Sequence, residues 1–216
     1  MAISVAVAIG DSADKLIENI TPKINNIKVG PYNDETTDMG PVVSKDAYER
    51  INGLIDSGVK EGANLIVDRR NIKLQGYENG YFIGPCLFDN VKDNMKIYKE
   101  EIFGPVLSIV RAKNYEEGLQ LVKDNPYGNG CSIFTRDGDT ARNFSSEANI
   151  GMVGVNIPIP VPVAYFSFGG WKNSIFGGHN AYGMEAIRFY THTKTITSKW
   201  PEGIRSGAQF TMPTLG

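Results

Sequence analysis

Apolar residues surround the chain on every side from Met1 to Ile9, then narrow to one face. Leu16, Ile20, Ile24 and Ile27 recur at spacings of four, four and three, the period of a helix with a single buried stripe. The pattern predicts a helix within residues 1–27, apolar all round at its start and so buried there. Gly30-Pro31 ends it, because proline cannot continue the hydrogen-bond ladder. Residues 31–43, rich in Asn, Asp, Thr, Gly and Pro, read as a loop. Ser44 is placed to cap a second helix whose apolar positions are Tyr48, Ile51, Ile55 and Val59.

Short apolar runs then alternate with helical spacing. Leu65–Val67, Cys86–Phe88, Val106–Val110, Cys131–Phe134 and Met152–Val155 are strand candidates. Tyr115, Leu119 and Val122 mark a helix stopped near Asn125-Pro126, and Asp139–Ala148 a further one. Strands separated by helices suggest βαβ units and a parallel sheet, so the expected fold class is α/β. From Asn156 the texture changes. Asn156–Val163 alternates proline with β-branched residues and is expected to be extended, outside any central strand. Phe166–Gly178 is aromatic and glycine-rich, and Thr191–Trp200 has the β-branched, one-sided polar pattern of an exposed strand. The tail 201–216 has no periodicity and reads as irregular. No internal repeat or low-complexity tract is present.

Composition removes several classes of function. Lys and Arg number 22 against 24 Asp and Glu, a net charge of −2, which lacks the basic excess of a nucleic-acid binder. With 41% hydrophobic residues in 216, the chain can build a core, and one large domain or a domain with an appendage is the natural count. No apolar run approaches the ~18 residues of a membrane helix. The opening lacks a basic leader, so it reads poorly as a signal peptide. Cys86 and Cys131 are too few for a disulfide framework, which favours a reducing compartment.

The familiar chemical motifs are not found. His179 and His192 lie far apart with no partner at metal-ligand spacing, so no metal is expected. No Gly-x-Gly-x-x-Gly opens a helix after a strand, and there is no P-loop and no nucleophile elbow. Cys86 and Cys131 sit in apolar strand contexts, the usual fate of a free cysteine, and neither is expected to be catalytic.

Several longer segments are more specific. Lys99-Glu100-Glu101-Ile102-Phe103-Gly104-Pro105-Val106 resembles a signature of the aldehyde dehydrogenase superfamily. Asn125–Gly130 with Ser132–Thr135, Phe168-Gly169-Gly170-Trp171-Lys172 and Phe189–Thr197 are similar to its following segments in the same order. Val155–Pro162, Gly76–Gly80 and the tail Met212–Gly216 resemble the CoA-acylating methylmalonate-semialdehyde dehydrogenase branch. The resemblance covers essentially the whole chain. It implies an NAD-dependent oxidoreductase in which a cysteine thiolate attacks the aldehyde, hydride passes to NAD, and the thioester loses its β-carboxylate as carbon dioxide or bicarbonate. Coenzyme A then takes the acyl group as propionyl- or acetyl-CoA, as in valine, pyrimidine or inositol catabolism.

In that family a Met-Ala pair directly follows the nucleophile. The resemblance therefore implies that Met1-Ala2 begins just after it, so that this is a C-terminal portion holding no catalytic cysteine. Residues 1–189 would be part of the catalytic domain, 190–200 an oligomerisation strand joining a homo-oligomer, a tetramer by family, and 201–216 an irregular tail. By resemblance Glu101 accepts hydrogen bonds from the nicotinamide-ribose hydroxyls, Phe103 packs by that ribose, and Phe168 lines the aldehyde pocket. The plainer alternatives are a solvated or ion-paired Glu101 beside Lys99, ordinary core burial of Phe103, and Phe168 as a loop anchor under Gly169-Gly170. Trp171 stands where the superfamily usually has tyrosine, and Asn173–Gly178 departs from its usual continuation, which leaves the pocket shape open. A mitochondrial location follows from the family, with any targeting segment outside this chain, and otherwise the cytoplasm. Two other readings stand beside this one. The chain could be a non-catalytic interaction partner or remnant, or part of a hydrolytic aldehyde dehydrogenase of broad range.

Overall fold

The computed structural model describes residues 3–200. They form two compact units, one of residues up to Val161 with Gly169–Phe176, the other of Pro162–Phe168 with the described residues from Gly177 on. The elements of the first unit are β1 (Val5–Ile9), α1 (Ser12–Asn26), α2 (Lys45–Lys60), β2 (Asn64–Val67), β3 (Cys86–Asp89), α3 (Lys96–Lys99), β4 (Val106–Ala112), α4 (Tyr115–Asp124), β5 (Tyr127–Gly128), β6 (Gly130–Ile133), α5 (Gly138–Glu147), β7 (Met152–Val155) and β8 (Trp171–Lys172).

Four strands form a sheet in the order β1-β4-β3-β2. β4 pairs in parallel with β1 (Val5 opposite Ser108) and with β3 (Cys86 opposite Val106). The expected parallel pairing holds for β1, β4 and β3, and at one edge β2 adds on antiparallel to β3. Residues 68–85 between them form no helix, and without a crossover the chain returns in the opposite direction.

Helices cover both faces of this sheet. On one side Ile51, Leu54 and Ile55 of α2 pack with Cys86, Phe88, Val106 and Val110. On the other, Ala13, Leu16, Ile17, Ile20 and Ile24 of α1 pack with Ala8, Leu87 and Ile109. The opening segment is therefore a strand and not the start of a helix. Large residues at Val5 and Val7 face the α2 side, and the small Ala8 faces the α1 side. Gly10, at φ +61°, turns the chain from β1 towards α1, its N–H donating to Ala112 O at 2.9 Å. A third core of Leu119, Phe144, Ala148 and Ile150 joins α4 and α5 over the parallel pair β6–β7.

The helix starts follow their caps. Ser44 Oγ accepts from Ala47 N at 3.2 Å, Asn114 from Glu117 N at 2.9 Å and Asp137 from Thr140 N at 2.6 Å. The four-residue α3 is too short to show a period, and the sequence pattern does not reveal it. In the second unit, a 3₁₀ turn (Gly183–Glu185) leads into α6 (Ala186–Tyr190). Thr191–Trp200 is exposed throughout and joins no ladder among the described residues, contrary to the strand its pattern predicts. A strand is defined by its partner as much as by its own residues, and among the described residues no sheet edge is paired with it. The expectations for Met1-Ala2 and for 201–216 lie outside the described residues.

Two consequences are measurable. Asp89, 3% exposed, takes a two-pronged ion pair from Arg111 (Nε 3.0 Å, Nη2 2.8 Å). Arg111→Ala leaves that carboxylate buried and uncompensated, and urea unfolding should report a loss of about 3 kcal/mol. Asp14→Ala, which removes only the exposed partner of Arg111, should cost no more than ~1 kcal/mol. The second concerns Cys86, 1% exposed, whose thiol is pushed up to about 11, chiefly by burial. Its folded value lies above its unfolded one, so the native state keeps a proton that the unfolded chain has released. That contribution is complete below the unfolded pKa and is lost as pH rises from about 8.5 through about 11. Wild type should lose more stability across this range than Cys86→Ala, as read from urea midpoints on either side of it.

Candidate functional site

The superfamily-like octapeptide spans the end of α3 and the start of β4, and α2 holds both ends. Near α3, Gly58 admits Ile97 closely, since a Cβ there would stand 2.7 Å from Ile97 Cδ1. Near β4, Gly104 lies against Ile51, where a Cβ would meet Cδ1 at 2.7 Å. Glu61 just beyond α2 accepts from Lys96 N at 2.7 Å and so caps the start of α3. Its carboxyl is held below the usual range by hydrogen bonds from Ser57 and the Lys96 amide. At the far side Cys86 N donates to Pro105 O at 2.8 Å, which locks the loop's exit into the sheet.

Between these anchors the side chains alternate out, in, out. Glu101 is exposed, Ile102 is buried at 4%, and Phe103 is 79% exposed. Phe103 has φ +50°, the left-handed region that costs a bulky L-residue ~1–2 kcal/mol. That backbone turn lets Gly104-Pro105 follow directly into β4 while the phenyl ring faces outward. The main chain at Glu101 is steadied by Arg50 of α2, whose Nη1 donates to Glu101 O at 3.1 Å. The Glu101 carboxylate enters none of the ion pairs among the described residues, Lys99 included. Core burial, the plain alternative for Phe103, is not what the structure has.

Glu101 and Phe103 are thus brought together on one loop. An ionised carboxylate offers two acceptor oxygens and no donors, the complement of a diol, and the neighbouring ring supplies an apolar surface. Phe168 belongs to the second unit, where its ring meets Tyr182 edge-on at 6.1 Å. Ser167 beside it is tied down by Asn180 Nδ2 at 2.7 Å and itself donates to Glu185 Oε2 at 3.3 Å.

Neither cysteine has the environment of a nucleophile. Cys86 Sγ lies 3.6 Å from Gly84 O and 3.8 Å from Asp68 Oδ1, and burial keeps its thiol protonated. Cys131 in β6 is half-buried and its thiol is likewise raised by burial. Among the described residues no cluster of His, Cys, Asp and Glu is grouped to hold a metal ion. Sequence reasoning did not single out Arg50, which supports the loop. Arg50 is 51 residues from Glu101 and carries no local signal.

Comparison with known proteins places this geometry in a family. The model of the aldehyde dehydrogenase family matches residues 1–196. The malonate-semialdehyde dehydrogenase of Pseudomonas aeruginosa is 54% identical over 217 residues, covering 100% of this chain and 44% of that protein. The human methylmalonate-semialdehyde/malonate-semialdehyde dehydrogenase, acylating and mitochondrial by name, is 47% identical over 218 residues, covering 100% and 41%. Among solved structures, a Sinorhizobium meliloti protein assigned to methylmalonate-semialdehyde dehydrogenase and complexed with NAD is 62% identical with a TM-score of 0.88, covering 95% of this chain and 42% of that one. The methylmalonate-semialdehyde dehydrogenase of Oceanimonas doudoroffii is 50% identical with a TM-score of 0.86, covering 94% and 42%. The chain spans less than half the length of these relatives. With 196 of its 216 residues matched by the family model and its fold shared with these enzymes, the chain belongs to the aldehyde dehydrogenase family.

Proposed function

We propose that these residues supply the nicotinamide-positioning part of an NAD-dependent, CoA-acylating dehydrogenase for malonate or methylmalonate semialdehyde. The observation that carries the reading is the Glu101–Phe103 loop, which turns a carboxylate and a ring outward on either side of the buried Ile102. NAD, when bound, supplies the hydride acceptor. Glu101 then holds the nicotinamide-ribose hydroxyls through its two oxygens, and Phe103 limits where that ribose can sit. Phe168 lines the aldehyde pocket.

The names of the Pseudomonas and human relatives support the substrate class, and the acylating label of the human protein supports coenzyme A as acyl acceptor. In this reading the chain corresponds to the part of the enzyme that follows the nucleophile, so the attacking thiolate lies outside these residues. The raised thiols of Cys86 and Cys131 agree with that assignment. Thr191–Trp200, exposed and β-branched, is proposed to add to a sheet of a neighbouring copy and build the homo-oligomer. The mitochondrial names of the mammalian relatives support that compartment if the source is eukaryotic.

Two kinetic results follow for the intact protein that contains these residues. Glu101→Gln should raise the KM for NAD about tenfold or more, the loss of a hydrogen bond to a charged acceptor, with little change in the KM for aldehyde. An unchanged KM for NAD would take Glu101 out of the cofactor site. Omitting coenzyme A should abolish most turnover of malonate semialdehyde, whereas free-acid formation at full rate would favour a hydrolytic enzyme.

A further inference from the structure

Within the second unit, the segment that ends at Phe168 is held by residues 180–185. Tyr182 sets its ring edge-on against Phe168, with centroids 6.1 Å apart. One residue on, Gly183 lies at φ +69° and carries its chain against the main chain of 165–167. A Cβ there would stand 2.8 Å from Phe166 C, 2.9 Å from Ser167 N and 2.9 Å from Tyr165 O, so only glycine permits the approach. The two segments therefore pack backbone to backbone just before Phe168.

Polar groups close the same contact. Asn180 Nδ2 donates to Ser167 Oγ at 2.7 Å, and that hydroxyl donates in turn to Glu185 Oε2 at 3.3 Å. The same carboxylate oxygen accepts from Asn180 N at 3.2 Å. Asn180, Ser167 and Glu185 thus form a closed ring of hydrogen bonds, in which the Ser167 hydroxyl both accepts and donates. Glu185 is the charged member and accepts twice, so its bonds are the strong ones. Every group in this arrangement belongs to the second unit.

Glu185 stands at the N-cap of α6, yet its side chain makes no capping bond to that helix. A carboxylate at a helix start is well placed to serve the helix's own free N–H groups. Here it turns back to serve the Phe168 segment instead. That segment needs the support. Phe168 is 39% exposed, so contact with Tyr182 alone would leave its backbone free to swing away. The hydrogen bonds on Ser167, the residue before it, remove that freedom.

We infer that Glu185 is a positioning residue for the aldehyde pocket, holding the Ser167 hydroxyl and the Asn180 amide so that the Phe168 ring stays seated on Tyr182. The inference rests on the pocket role proposed for Phe168, and it assigns a task to a residue that the resemblance leaves without one.

The test uses the intact protein with Glu185→Ala, which removes the acceptor oxygens, Glu185→Gln, which keeps one, Ser167→Ala, the double variant of the two alanine changes, and Phe168→Ala as reference. Glu185→Ala should raise the KM for malonate semialdehyde about tenfold, the scale of one lost hydrogen bond to a charged group, while the KM for NAD stays near wild type. Glu185→Gln should recover most of that loss. Ser167→Ala should act in the same direction as Glu185→Ala. The double variant should be no worse than the poorer single one, since both open the same ring of bonds. Glu185→Ala that lowers thermal stability but leaves the KM for aldehyde unchanged, when Phe168→Ala has raised it, overturns the inference. So does an equal rise in both KM values, and so do effects of the two alanine changes that multiply. If Phe168→Ala itself leaves the KM for aldehyde unchanged, the pocket reading has failed, and fluorine NMR with para-fluorophenylalanine in place of Phe168 decides the link. A resonance that Glu185→Ala moves to its position in Tyr182→Leu upholds the positioning role, and an unmoved resonance refutes it. Should Glu185→Ala fail to fold, the same KM and NMR comparisons on Ser167→Ala decide the matter.

Discussion

Val106–Ala112 must satisfy four neighbours at once. β1 and β3 pair with its two edges, and α2 and α1 cover its two faces. A strand so placed leaves no side for polar residues, so Val106 and Val110 point into one core while Ile109 points into the other, and Ser108 is fully enclosed. The only charged residue in it, Arg111, escapes towards Asp14 and Asp89. Everything that enters β4 has to arrive in register with this double burial, and the segment that enters it is the Glu101–Pro105 loop.

That constraint explains why the loop is strained and why its chemistry points outward. Ile102 belongs to the α2-side core, and Gly104 is pressed against Ile51. Joining these two anchors over one residue forces Phe103 into the left-handed region, and its ring has nowhere to go but out. The core thus presents a carboxylate and an aromatic ring side by side from a rigid base. Local strain of this kind persists where surrounding packing over-determines it, a common property of binding loops. Arg50 and the Glu61-capped α3 add a second layer of support from α2, the same helix that packs on the sheet.

Much of this was legible in the chain, and the failures have physical causes. Lys45–Lys60 announces itself by Ser44 together with one-sided spacing, and Tyr115–Asp124 by its spacing and the Asn125-Pro126 stop. Val5–Ile9 did not, because a strand packed against a core on each face has no polar alternate, and its large–small alternation is easily taken for an all-apolar helix. The antiparallel edge of β2 depends on what residues 68–85 do not form, which periodicity cannot reveal. Thr191–Trp200 keeps a strand's pattern without a ladder to join. At the site, the chemistry of Glu101 and Phe103 was visible only by resemblance. Single carboxylates and rings are common, and what distinguishes these is an outward turn set by Ile51, Ile102 and Arg50 from distant parts of the chain.

The central claim is that the Glu101–Phe103 loop receives the ribose of the nicotinamide. A crystal structure of the intact protein with NAD tests it most directly. The account predicts both Glu101 oxygens within about 2.6–3.0 Å of the ribose hydroxyls, with the Phe103 ring against the sugar and its backbone still left-handed. A nicotinamide ribose bound elsewhere, with Glu101 facing only water, would contradict it.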